Sequence, residues 1–116
     1  MADQPKAMTL REAVEIVRLG LESYIAATWS ARDAFAPGWM NVSRTQWRKR
    51  CSKEYDRARA IVDAAVEAHE AHGKFLDAVE EYERGEQSNS ELAPLMERAD
   101  AETDKLRALE RGEDAP

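Results

Sequence analysis

The chain has 116 residues, 34% of them charged, a formal net charge of -6 and a mean hydropathy of -0.69, which bounds it to one solvated domain of ordinary size. Five Gly and four Pro are too few for a turn-rich β fold, and no apolar run approaches the length of a membrane span. A single cysteine excludes an intramolecular disulfide and agrees with a reducing, cytoplasmic setting.

Residues 1–8 are expected to form a flexible arm that lacks the apolar core of a signal peptide. Thr9 and Glu12 have the spacing of a capping box, and Leu10, Ala13, Val14, Val17, Leu21, Tyr24, Ile25 and Thr28 then recur at helical spacing. They predict a first helix over about 9–34. Ile16, Leu19 and Ala27 lie outside its main stripe, so more than one face needs covering. Phe35, Pro37, Gly38, Trp39 and Asn41 make the connection, because Pro and Gly forbid continued helix. Trp29, Trp39 and Trp47 flank or occupy this turn, either as an aromatic plug or as a partly exposed anchor for a partner.

The second helix organises the chain. Ser43 and Gln46 form a capping box, Arg84 and Gly85 a stop, and a seam of Trp47, Cys51, Tyr55, Ala58, Val62, Ala65, His69, His72, Leu76 and Val79 runs between them. Gly73 sits in phase with this seam, and no Ser, Thr, Asp or Asn directly precedes Lys74 to start a new helix. The spacing therefore predicts one helix over about 43–84, on the order of 63 Å long at about 1.5 Å per residue. A polar loop over 86–90 leads to a third helix over about 90–111, capped by Ser90, whose positions 92, 95, 99, 102, 106 and 109 make a heptad seam with Glu102 as its polar member. Residues 112–116 are an acidic tail.

Charge is distributed unevenly along this plan. Residues 43–59 hold seven Lys and Arg against two Asp and Glu, a net +5, whereas residues 60–116 hold six against sixteen, a net -10. Cations at a helix N-terminus and Glu80, Glu81 and Glu83 near its C-terminus all oppose the macrodipole, which points to partners outside the helix.

Three constellations invite chemistry. Beside Trp39, the side chains of Arg44, Arg48, Lys49 and Lys53 are either a solvated face or a platform that stacks bases and holds phosphates. His69 and His72 share a face but have no third imidazole, so seam histidines are expected and no metal. Cys51 is read as a packed thiol, with the neighbouring cations as the argument for reactivity.

No Gly-rich phosphate loop, nucleophile with a base, or Cys/His cluster is present, so neither catalytic residues nor a cofactor are expected. The fold expected is an all-α antiparallel bundle, one domain over 1–116, with the first helix on the N-terminal half of the long one and the last on its C-terminal half. Faces left uncovered are expected to be closed by a homodimer or by a permanent partner that supplies the missing helices. The function expected is that of a non-enzymatic protein-binding protein, an adaptor or stoichiometric inhibitor whose acidic half, with Glu80, Glu81 and Glu83, engages a basic surface. One form is an inhibitor of host defence, of the kind phages make, that occupies a nucleic-acid-binding groove. The alternative is nucleic-acid binding by residues 39–59.

Overall fold

The computed structural model describes residues 7–31, 41–85 and 89–112. Among them are four helices, α1 (Leu10–Leu19), α2 (Leu21–Trp29), α3 (Arg44–Glu83) and α4 (Leu92–Glu110), with a 3-10 turn over Asn89–Glu91 and no strand. The long helix packed against shorter ones matches the expectation. The connection at 32–40, which includes Phe35 and Trp39, lies outside the described residues, as do 1–6, 86–88 and 113–116.

Local chemistry sets the ends of α3. The Ser43 hydroxyl accepts from the Gln46 amide at 3.2 Å while the Gln46 side chain accepts from the Ser43 amide at 3.1 Å, so two orphan donors are satisfied reciprocally. After a helix of 40 residues Gly85, at φ 78°, marks the stop and donates its N–H to the Tyr82 carbonyl at 3.0 Å. Gly73 lies inside without a break.

Two shorter rods cover α3 end to end. The Met8 amide donates to the Glu110 carbonyl at 2.7 Å, and the Glu110 carboxylate accepts from the Leu10 amide at 3.2 Å, so α4 ends where α1 begins. Arg57 of α3 donates to the carbonyls of Leu109 and Glu110 at 3.4 and 3.2 Å and holds this junction to the long helix. The result measures 65 × 26 × 18 Å, a slab two helices wide and one deep. Met8 is 7% exposed in the cluster of Ala13, Ala58 and Ile61, so the expected arm is already pinned at its last residue.

The structure corrects the expected elements in three places. The first helix breaks at Gly20, whose φ of 84° and ψ of 157° are open to glycine alone, and α2 ends at Trp29 instead of near 34. The break falls where the facing residue on α3 changes from Ala58, which lets α1 come close through Ala13, to the fully buried Trp47, which holds α2 farther off. At the start of α4 the cap position is Glu91 without a side-chain cap bond, not Ser90. Pro94 is tolerated within the first turn, where its missing N–H would be an orphan anyway.

The third correction concerns the seam. Trp47, Cys51 and Ala58 are buried as expected, but beyond them the buried residues are Ile61, Ala64, Ala68, Ala71 and Ala78, one position ahead of the expected Val62, Ala65, His69, His72 and Val79. The heptad column of 47, 54, 61, 68 and 75 faces the partner throughout. Its companion column switches from 51 and 58 under α1 and α2 to 64, 71 and 78 under α4, because the two rods approach from different sides. His69 and His72 are exposed, and Leu76 is 53% exposed. On α4 the expected seam does face α3: Ala99 is buried, and Leu92, Leu95, Glu102, Leu106 and Leu109 are half-buried.

The two glycines of the helices should respond to alanine in opposite directions. Gly20→Ala puts a Cβ at a positive φ and should cost about 1–3 kcal/mol. Gly73→Ala meets nothing within 4 Å and should stabilise by about 0.4–1 kcal/mol. Urea midpoints of the two variants check both signs.

Candidate functional site

Two regions of α3 are candidates. At the basic end, the cations largely answer charges within the chain. Arg48 makes a bidentate pair with Glu22 of α2, one bond at 3.1 Å, and its guanidinium holds the Glu22 carboxyl below the usual range. Both side chains are well exposed, so the pair adds little stability. Arg44 lies over the Trp29 ring at 4.7 Å, a cation–π contact that closes the same open groove between α2 and α3. Arg50 pairs with Glu54 at 2.6 Å and lies 5.3 Å from the Trp47 ring centroid. Arg57 is occupied at the α1–α4 junction. Lys49 and Lys53, with Arg59, are exposed and form no ion pair among the described residues. Trp39 lies outside the described residues, and Trp47 is fully buried and so is not a stacking surface.

Beneath the basic end lies a polar network that sequence reasoning missed. The Trp47 indole donates to the Thr28 hydroxyl at 3.2 Å, and that hydroxyl donates to the Tyr24 carbonyl at 2.8 Å and lies 3.7 Å from the Cys51 sulfur. The Tyr24 hydroxyl donates to the Glu54 carboxylate, which Arg50 holds from the other side. Burial, reinforced by the negative Glu54, pushes the Tyr24 phenol well above its ordinary range. Burial likewise pushes the Cys51 thiol up, against the Thr28 hydrogen bond, so Cys51 is a protonated packing residue and the argument from neighbouring cations fails. The available signal was the four-residue step from Tyr24 to Thr28 on the helix stripe, together with Glu54 in the column between Trp47 and Ile61.

At the acidic end the charges stay unanswered. Glu80 and Glu83 are exposed and Glu81 half-exposed over the last turn of α3, and none forms an ion pair among the described residues. Glu97, Asp100 and Asp104 of α4 are exposed too, while Glu67 is met by Lys105 at 3.6 Å. Between the rods, one carboxylate oxygen of Glu102 is buried without a hydrogen-bond partner. Among the described residues no group of three His, Cys, Asp or Glu side chains is placed to hold a metal, and His72 stands beside Phe75 with ring centroids 6.5 Å apart. Nor, among the described residues, is any helix long and apolar enough to cross a membrane.

No protein-family model, curated protein or solved structure matches the chain.

The network sets the alkaline limit of stability. Tyr24 and Cys51 both hold their protons more tightly folded than unfolded, so their contribution is complete below the ordinary thiol value of 9.0 and is lost progressively above it and above the ordinary phenol value of 10.0, as pH climbs toward the raised folded values. Tyr24→Phe should flatten the fall above pH 10.0 while lowering stability at neutral pH by about 1–2 kcal/mol. Urea titrations across pH read both effects. Iodoacetamide should leave Cys51 unmodified until the chain is unfolded.

Proposed function

We propose that the protein is a non-enzymatic, helical protein-binding protein, an adaptor or stoichiometric inhibitor whose acidic half engages a basic surface of its partner. One observation carries the reading. Arg44, Arg48, Arg50 and Arg57 of the basic segment are engaged within the chain, whereas Glu80, Glu81 and Glu83 form no ion pair among the described residues. Carboxylates gathered on two adjacent rods set up a field that steers a basic partner and speeds encounter at low salt. A groove evolved for nucleic acid is one such basic surface, so blocking the groove of a host-defence effector is the sharpest form of this reading. The single buried thiol suits a cytoplasmic setting.

The competing nucleic-acid reading keeps Lys49, Lys53 and Arg59 as exposed cations, while two of its arginines, Arg44 and Arg48, are engaged within the chain. Three unengaged cations neutralise few phosphates, and affinity from that source falls steeply with salt.

Two measurements separate the readings. With the protein immobilised and a partner isolated from the native cells, replacing Glu80, Glu81 and Glu83 by Lys should slow association about tenfold or more while changing dissociation little. Association indifferent to both the triple change and added salt would sink the electrostatic reading. A labelled oligonucleotide should not bind at physiological salt. Tight binding that Arg48→Ala and Lys49→Ala abolish would transfer the site to the basic end.

A further inference from the structure

One flank of α3 carries a pattern of its own: its N-terminal part borders α1 and α2, where Arg48 meets Glu22 and the half-buried Val62 packs beside Ala58 and Ile61, and its C-terminal part is largely open to solvent. From Arg48 to Glu83, the positions at alternating steps of four and three lie along one stripe of the helix. Arg48 opens the stripe, Glu80 and Glu83 close it, and Val62, Val66 and Leu76 occupy its middle. Val66 is 51% and Leu76 53% exposed, which is costly for aliphatic side chains on an otherwise polar surface. Gly73 lies on the same stripe, and a Cβ built there meets nothing within 4 Å, so the backbone is bare to a close neighbour.

We propose that a second copy of this chain docks antiparallel on this stripe, about a two-fold axis that passes between Val62 and Val66, level with the buried Ala64. An interface of this kind requires the patch to be complementary to itself, with residue i meeting j and j meeting i. The stripe meets that condition. Arg48 lies sixteen residues before Ala64 and Glu80 sixteen after it, about 24 Å either way at about 1.5 Å per residue. Turning the second copy end for end therefore sets Arg48 of each chain beside Glu80 of the other and brings Val62 and Val66 together at the centre.

Net charge selects the same direction. Within α3, residues 44–59 hold seven cations against two carboxylates, a net +5, and residues 60–83 hold one against seven, a net -6. An antiparallel pair places opposite signs together along its whole length, while a parallel pair places like against like. The weak, exposed pair of Arg48 with Glu22 leaves the guanidinium able to share a second carboxylate.

Size is sufficient. A contact strip about 60 Å long and about 10 Å wide buries roughly 600 Å² on each chain, about 1,200 Å² in all, the lower bound of a stable interface. Docking also adds the second layer that a slab 18 Å deep lacks. Glu80 and Glu83 on the stripe are shared with the acidic-surface reading above, whereas Glu81, Glu97, Asp100 and Asp104 lie off it and stay available to a basic partner, so Val66→Glu tests the dimer without touching those carboxylates.

Size-exclusion chromatography with light scattering should give about twice the chain mass of 13.1 kDa. Val66→Glu, at a position already half in solvent, should return a helical monomer. Reversing Arg48→Glu or Glu80→Arg alone should weaken the dimer, and combining them should restore it. Under mild oxidation Val66→Cys should cross-link to its own copy, whereas Leu76→Cys should not, since those positions stand roughly 36 Å apart in the antiparallel pair. A folded monomer at every concentration overturns the proposal. So does a dimer that survives Val66→Glu, or cross-linking as efficient at Leu76→Cys as at Val66→Cys.

Discussion

The architecture depends on the junction where Glu110 meets Met8, Leu10 and Arg57. A helix of 40 residues cannot be covered by one shorter helix, so α3 is covered by two rods laid end to end. Laying them end to end brings the C-terminal carbonyls of α4 against the N-terminal amides of α1, two sets of groups that lack intrahelical partners. Here they partly satisfy one another, and Arg57 supplies the remaining donor from the long helix. The contact spans 100 residues of sequence, so the last helix completes the start of the first. Without it, the ends of both rods would leave orphan groups beside the core of Ala13, Ala58 and Ile61.

Features governed by local chemistry were legible in the sequence. The Ser43–Gln46 box, the stop at Gly85 and the passage through Gly73 follow from groups within a few residues of one another, and the structure shows each. The end-to-end order of the rods followed from helix lengths alone. Tertiary contact decided what was misread. Gly20 looks like an ordinary interior glycine until Trp47 and Ala58 are known to set different spacings for α2 and α1. The seam slipped after Ala58 because a 3.5-residue repeat does not say which of two neighbouring columns a partner will take. Ala64, Ala68, Ala71 and Ala78 won that choice over the column of Val62, Leu76 and Val79, since small side chains let a neighbouring helix approach closely.

The candidate site was half legible for a related reason. Sequence showed the charge asymmetry but not who answers whom. Glu22 lies 26 residues from Arg48, and only the fold brings them together. The first turn of α3 contains no acidic residue to favour its dipole, so Glu22 on α2 supplies some of the compensation from outside the helix. The aromatic reading divided in the same way, with Trp47 going into the core beside Thr28 and Trp29 lying beneath Arg44.

The two halves of α3 are held by different materials. Its basic half is anchored by a fully buried Trp47, a hydrogen-bonded network and Ile61 at its boundary, contacts that bury large apolar area and fix register. Its acidic half rests on Ala64, Ala68, Ala71 and Ala78 against Ala99, each contributing little area, beside a Glu102 oxygen that is buried without a partner. An apolar residue at 102 would hold α4 more tightly, so a carboxylate there keeps that contact weaker than the fold allows. The carboxylates proposed for partner binding thus lie on the half of α3 that is held by small side chains.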